Sequence, residues 1–321
     1  MGLIDINQFN SILVCPRCRS ALIASKDCYH CTNSTCPYCK DLYFPVVGKH
    51  PVLVDFEQSI LVESNLISTL GASPIHRRNS QFGTKIRRFL FGTNKVAETN
   101  AVQLQQMLKD ISGSSIVLSI GGGTIGSGAE AIYDNPSIQL ISFDIYASPL
   151  TQFIADGHQI PLDDQSVDAV WIQAVLEHVL DPWQVVSEIH RVLKRDGIVY
   201  AETAFMQQVH SGSYDFTRFT ASGHRWLFKN FELIDSGVVA GPGTQLSWTI
   251  DHVSRSIFRS TRAGLIAKIL LFWVRYLDKI SPTKYAVDNA SCVFFLGRKS
   301  LREITPKEMV SFYKEAQIRK Y

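Results

Sequence analysis

The sequence predicts an α/β protein, a doubly wound and mostly parallel sheet preceded by a small cysteine-rich module. Three observations carry that expectation. Short β-rich runs alternate with helical periods from about residue 97 onward. One of those runs closes on "SIGGGTIGSG", residues 119 to 128, in which five of ten residues are glycine. Six of the seven cysteines fall between residues 15 and 39. Alternation of strand and helix gives a parallel sheet covered on both faces, and ligands of such sheets sit beyond the carboxyl ends of the strands.

The cysteine segment comes first in the chain and reads "CPRCRSALIASKDCYHCTNSTCPYC". Cys15 and Cys18 form a C-x2-C knuckle, which presents two thiolates from one tight turn to one tetrahedral zinc. The second pair comes from Cys28, Cys31, Cys36 and Cys39. Cys31 with Cys36, framing the turn-rich "CTNSTC", is the favoured choice; Cys36 with Cys39 is the main alternative. So dense a cluster points to metal rather than disulfides in a reducing compartment. Four thiolates leave no open position for water, so the zinc is expected to be structural. A module of this size buries too little apolar surface to fold without such a staple. With "LYFPVVGKHPVLVDF" after it, the segment 12–56 resembles the small zinc-ribbon domain that opens many bacterial methyltransferases. It is also similar to the zinc-ribbon-like activator of tRNA methyltransferases.

A basic stretch follows. Between Glu63 and Glu98 there is no acidic residue, while Arg77, Arg78, Lys85, Arg87, Arg88 and Lys95 are basic. It reads as a solvated linker.

The larger part of the chain then supplies its strands. "SIVLSI" (115–120) ends in the glycines; "IQLISFDIY" (138–146), "VDAVWIQAV" (167–175) and "GIVYAETAF" (197–205) follow. Between the last two, Val185, Val186, Ile189, Val192 and Leu193 recur at helical spacing. Asp181 is the expected N-cap of that helix, Pro182 its first residue and Gly197 its close. Gly121, Gly123 and Gly126 read G-x-G-x-x-G, and Asp144 ends the second run 18 residues later. Alone, that pattern admits a dinucleotide as readily as S-adenosylmethionine.

Four motifs taken together resemble the class I S-adenosylmethionine-dependent methyltransferases, of the type 11 group. "VLSIGGGTIG" is similar to the family's glycine loop under the methionine part of the cofactor. "FDIY" puts Asp144 where the family's acid binds the ribose hydroxyls. "IADGHQIPLDDQSVDAVWIQAVLEHV" puts Asp156 where its acid meets the adenine amino group, and "EIHRVLKRDGIVYAET" is similar to the run into the fifth strand. The resemblance covers residues 114 to about 240, with a last strand near "NASCVFFLGRK". It implies a seven-stranded Rossmann-like sheet and a cofactor set of Ser119, Gly121, Gly123, Gly126, Asp144, Ile145, Asp156, Gly157 and Gln173. Two positions depart from the pattern. Ser119 stands where the family commonly has an acid, and Ile125 holds the place of its third glycine, with Gly126 one later. The residue types suit the cofactor: a carboxylate accepts from two vicinal hydroxyls, and glycine lets backbone approach closely.

The acceptor side is expected in "FMQQVHSGSYDFTRFT" (205–220), which resembles a segment of glycan-linked members of the family. His210 is the expected general base, with Tyr214 and Arg218 beside it; an Asp215–Arg218 pair that only braces the loop is the competing reading. His178 in "LEHV" reads as a packing residue. Residues 245–280 read as a helical insertion between the sixth and seventh strands, with Arg255, Arg259 and Arg262 on one face at i, i+4, i+7 spacing. Its expected role is a solvated lid or the contact of a homodimer.

The chain therefore divides into a zinc-ribbon-like module (1–60), a basic linker (61–96), a methyltransferase domain (97–300) and a helical tail (301–321). A net charge of +3 is too small for extensive phosphate contact. The expected acceptor is a small molecule or glycan intermediate, methylated on oxygen or nitrogen. An RNA methyltransferase that reads its substrate through the ribbon, and a non-catalytic adaptor that binds the cofactor, are the alternatives. "LIAKILLFWVRYL" (265–277) is broken by Lys268 and Arg275 and is too short to span a bilayer. No signal-peptide pattern opens the sequence, so a cytoplasmic location is expected.

Overall fold

The computed structural model describes residues 2–74, 93–109 and 114–318. Its strands are β1 (Leu22–Ala24), β2 (Cys28–Cys31), β3 (Phe44–Val47), β4 (His50–Leu53), β5 (Ser115–Ile120), β6 (Ile138–Asp144), β7 (Phe153–Ala155), β8 (Val167–Gln173), β9 (Leu193–Ala204), β10 (Phe231–Ala240) and β11 (Cys292–Lys299). They join in one sheet of order β1-β2-β3-β4-β7-β6-β5-β8-β9-β11-β10.

The expected seven-stranded sheet is the run β7-β6-β5-β8-β9-β11-β10. Its first five strands are parallel; β11 lies antiparallel to both β9 and β10. The sheet does not stop at seven. β4 pairs in parallel with β7, Val52 opposite Ile154 and Leu53 opposite Ala155, and draws in the antiparallel hairpins β1 to β4. β7 is only three residues long, all buried. Left as an edge it would expose unpaired backbone groups, and a neighbouring strand removes that liability.

Both faces of the sheet are covered. On one face, helix Lys95–Lys109 brings Ala97, Ala101, Leu104 and Leu108 onto Val117, Trp171 and Tyr200. On the other, helix Pro182–Val192 buries Val185, Val186, Ile189 and Val192. The same cluster takes in Cys15, Cys31, Cys36 and Phe44, so the cysteine module shares its core with the larger sheet. Backbone contacts sew the two together: Leu3 bridges Leu140, Leu13 bridges Leu162, and the Val14 amide donates to the Pro161 carbonyl at 3.1 Å.

Helix Pro182–Val192 starts as its sequence predicts. Pro182 is at the first turn, and the Asp181 carboxylate accepts from the Trp183 and Gln184 amides at 3.0 and 3.1 Å. Its end differs from expectation. The chain leaves the helix at Val192 and enters β9 at Leu193, which pairs with Val167, so Gly197 lies inside the strand. The pairing of Leu193 in the sheet outweighs the helical propensity of the "LKRD" segment.

Between β10 and β11 lie helices Pro242–Phe258 and Thr261–Leu270 and a 3-10 segment, Phe272–Lys279. Asp278 closes this unit on itself by accepting from the amides of Gly243 (2.6 Å) and Gly241 (3.2 Å) and from the Thr244 hydroxyl (2.6 Å). The basic face expected here is not continuous. Arg259 takes φ of 48° and ends the first helix, so Arg262 belongs to the second, and Arg255 pairs with Asp251 at 2.7 and 2.8 Å. The left-handed turn at Arg259 breaks the helical register on which the spacing relied. Helix Pro306–Ile318 follows β11. In the stretch read as a linker, Glu63–Ser68 is a helix with Leu66 buried. Of the basic residues named there, Arg77, Arg78, Lys85, Arg87 and Arg88 lie outside the described residues. No helix among the described residues is long and apolar enough to cross a membrane.

Candidate functional site

The strand order reverses at β5, which has β6 on one side and β8 on the other. A crevice at such a switch point is where open α/β sheets bind ligands. Here β5 runs into the glycine loop. Gly121 takes φ of +72°, a backbone region open to glycine at little cost. Its amide and that of Gly122 donate to the Phe143 carbonyl, both at 3.0 Å, folding the loop over the end of β6. The Gly123 amide donates to Asp144 Oδ2 at 2.9 Å, and a Cβ at Gly123 would lie 2.3 Å from the Tyr146 hydroxyl.

A cleft of about 280 Å³ opens there, lined by Ser119, Gly121, Gly126, Asp144, Ile145 and Gln173 among others, with His178 at its side. A smaller hollow shares Gly121, Asp144, Ile145 and His178 and adds Asp156 and Gly157. Asp144 thus borders both. The expected cofactor residues converge on this pair of hollows, with Gly123 reached through its bond to Asp144.

Two of these side chains carry partners that their sequence context does not announce. Asp156 Oδ1 accepts from the His158 amide (3.0 Å) and meets His158 Nδ1 (2.5 Å); Oδ2 accepts from the Ser59 hydroxyl at 2.5 Å. Burial opposes its charge, but the bonds from His158 win and hold its carboxyl below the usual range. Gln173 Nε2 donates to Glu202 Oε2 (2.9 Å) and to the Ser127 carbonyl (3.1 Å), while its buried Oε1 finds no partner among the described residues.

Glu202 was not among the expected residues. It sits buried at the end of β9 in the wall of the cleft, holding Gln173, Asn94 Nδ2 (3.0 Å) and the Tyr200 hydroxyl. Burial pushes its carboxyl up. Its position after an apolar strand, in "YAET", is the one signal the sequence offers.

The loop 205–220 lies beside the mouth of the cleft. The His210 ring stands 4.9 Å from that of His178 and 6.0 Å from Trp248 of helix Pro242–Phe258. Its Nδ1 donates to the Gln208 carbonyl at 3.1 Å. Tyr214 contributes its carbonyl, which accepts from His178 Nδ1 at 2.7 Å. Arg218 binds within the loop: it pairs with Asp215, and it donates to the Gln207 and Thr217 carbonyls at 2.8 Å. Burial would raise Asp215, yet the pairing with Arg218 and the His210 amide pull it down to about 2. His178, read from sequence as a packing residue, borders both hollows. Burial, helped by His210, lowers its pKa to about 4. Next to it Glu177 is fully buried, which raises its carboxyl to about 7.

In the N-terminal module the Sγ atoms of Cys15, Cys18, Cys31 and Cys36 lie within 4.8 Å of one another, Cys18 and Cys31 at 3.3 Å and Cys15 and Cys36 at 3.8 Å. Tetrahedral Zn–S bonds of about 2.3 Å put sulfurs about 3.8 Å apart, so the donor set fits zinc. Burial pushes the Cys31 thiol up to about 12 and raises Cys15 as well; a bound cation removes that obstacle to ionisation. Cys39 is outside this group, and Cys28 Sγ lies 3.2 Å from His30 Nε2.

Residues 118–201 match the family model described as a methyltransferase domain. A stretch of 98 residues is 33% identical to an uncharacterized 37.1 kDa protein in transposon TN4556 of Streptomyces fradiae; the match covers 26% of this chain and 28% of that protein. This chain thus spans under a third of the length of that relative. Among solved structures, it is similar to a phosphoethanolamine N-methyltransferase 2 of Haemonchus contortus in complex with S-adenosyl-L-methionine (16% identity, TM-score 0.43, 69% of this chain and 57% of that one). It is also similar to the 1,6-didemethyltoxoflavin-N1-methyltransferase of Burkholderia thailandensis (12% identity, TM-score 0.38, 64% of this chain and 78% of that one).

Proposed function

We propose that this chain, whose residues 118–201 match a methyltransferase domain, is a class I S-adenosylmethionine-dependent methyltransferase that methylates an oxygen or nitrogen of a small molecule or glycan intermediate. One observation supports the reading above others: the glycine loop, Asp144 and His178 border one cleft at the switch point of the sheet. The glycine loop, with Ser119 beneath it and Gln173 Oε1 facing Gly126, would hold the methionine part. Asp144 would accept from the ribose hydroxyls, with Ile145 beside it. Asp156 and Gly157 would border the adenine, Asp156 kept charged by His158 and Ser59. The bound cofactor supplies an electrophilic methyl group on a sulfonium.

His210 is the acceptor-side group of this reading, held by its Nδ1 so that Nε2 remains for the acceptor. Tyr214 orients the neighbouring His178, and Arg218 braces the loop that carries His210 by pairing with Asp215. The four cysteines hold a structural zinc, and a reducing cytoplasm suits so many thiols. Small acceptors are favoured over RNA because a net charge of +3 supplies few phosphate contacts.

Calorimetric titration tests the cofactor. Hydrogen bonds to a charged group contribute about 1.5–3 kcal/mol, so Asp144→Ala should weaken S-adenosylmethionine binding by at least roughly tenfold. Binding of NAD in its place would overturn the reading. Retention of total RNA on filters at moderate salt would move the acceptor class to RNA.

A further inference from the structure

Outside the cysteine knot, one other group of side chains among the described residues converges as metal ligands do. A carboxylate oxygen of Glu177 and one ring nitrogen each of His178 and His210 lie within 4.8 Å of one another. We infer that these three residues form a second metal site, for a single divalent first-row cation, at the acceptor end of the cleft. This rests on the methyltransferase reading and gives His210 a definite task within it, as a ligand in place of a free base.

Three features of the site carry the inference. First, both imidazoles are pre-oriented. His178 Nδ1 donates to the Tyr214 carbonyl at 2.7 Å and His210 Nδ1 to the Gln208 carbonyl at 3.1 Å, which leaves each Nε2 as the lone-pair nitrogen. Metal-bound histidines are held in this way, by a carbonyl on the far ring nitrogen. The remaining neighbour of His178 Nε2 is the Ser211 hydroxyl at 3.4 Å, too far to compete with a metal bond. Second, Glu177 is 1% exposed, and its Oε2 has no hydrogen-bond partner among the described residues. Burying a carboxylate oxygen without a partner is costly, and a cation would satisfy it. Third, the nearest guanidinium does not occupy the place of that cation. Arg218 is committed to Asp215 and to three backbone carbonyls of the loop.

Bond lengths of about 2.0–2.2 Å require ligand atoms about 3–4 Å apart. The set lies within 4.8 Å, and the exposed loop carrying His210 can supply the closing movement. Two imidazoles and one carboxylate on one side leave coordination positions open, a donor set that suits iron, manganese, cobalt or zinc in the divalent state. His178 borders the cleft, so the site lies at its wall, within reach of an acceptor that enters there. An acceptor hydroxyl bound there would lose its proton to solvent at the mouth, because a divalent cation lowers the pKa of a bound oxygen. The resulting alkoxide pair forms the new O–C bond to the methyl group, while the S–C bonding pair returns to sulfur and leaves the neutral thioether.

The test uses the full chain with its ribbon already zinc-loaded. Mn2+ and Zn2+ are titrated in turn, with bound metal counted per chain, and S-adenosylmethionine affinity is measured on the same samples. One further cation per chain is expected in the wild type. His210→Ala and Glu177→Gln should weaken it by at least roughly tenfold, and His210→Ala should leave cofactor affinity nearly unchanged. No cation beyond the ribbon's, or equal affinity in the His210→Ala protein, overturns the site. Failure to bind S-adenosylmethionine with the second cation in place would instead sink the methyltransferase reading and leave the metal site standing. Because His210 sits on an exposed loop, its variant keeps the test decisive even where the buried Glu177→Gln change costs stability.

Discussion

His224 shows how one buried side chain sets a response to pH. It lies in helix Ala221–Leu227, 1% exposed, with its ring 5.2 Å from Phe228 and 6.2 Å from Phe219. Burial alone lowers its pKa to about 3. Unfolded, the same imidazole titrates near 6.5. Between those values the unfolded chain binds the extra proton, so stability rises with pH through that window and is lost on acidification below about 6.5. His224→Phe should therefore flatten the fall in melting temperature between neutral and mildly acid pH, measured by calorimetry. An unchanged pH slope would mean that other groups dominate. At this scale the sequence is a partial guide. Asp144 and the glycines are legible because strand ends and turn residues mark them. The second partner of Asp156 is not, since Ser59 lies 97 residues away, and neither is Glu202, which Asn94 and Gln173 reach from two other segments.

At the scale of elements, local signals succeed wherever the element is locally determined. Helix Pro182–Val192 has its cap, its proline and its apolar period in one stretch. Asp181→Ala removes the acceptor of two amides and should lower stability by about 1 kcal/mol, read from chemical denaturation, with cofactor affinity nearly unchanged. A loss of cofactor binding instead would mean that the cap shapes the neighbouring Asp156–His158 pair. Where tertiary contacts decide, the reading fails in a definite way. Strand β9 takes Leu193 to Asp196 because Leu193 pairs with Val167, a register no local pattern contains. The turn at Arg259 likewise splits a basic face that even spacing appeared to unite.

Seen whole, the molecule carries one of its core clusters across the point where the sequence divides into two parts. The cluster around Cys15, Cys31 and Cys36 continues through Ile160, Leu162 and Val185. Arg19 reaches Glu188 at 3.1 Å from the other side of that seam. Loss of metal should therefore weaken the whole chain and not the ribbon alone. All five tryptophans lie beyond residue 170, so tryptophan fluorescence reports on the larger part only. Chelation of zinc, or Cys36→Ser, should lower the unfolding midpoint seen by fluorescence; Cys39→Ser should leave both zinc and midpoint in place. A fluorescence midpoint indifferent to chelation would show that the two parts melt independently.

The pairing of β4 with β7 has a consequence for the order in which the chain is made. Val52 leaves the ribosome about a hundred residues before its partner Ile154. At synthesis rates of about 5–20 residues per second, β4 waits some 5–20 s with one edge bare. Throughout that interval the four clustered cysteines are already outside, close in sequence to a strand that is paired with β3 on one edge only. Early metal capture would tie the turn at Cys15 and Cys18 to the end of β2 at Cys31 and give the hairpins β1 to β4 a fixed base while the larger sheet is still being translated.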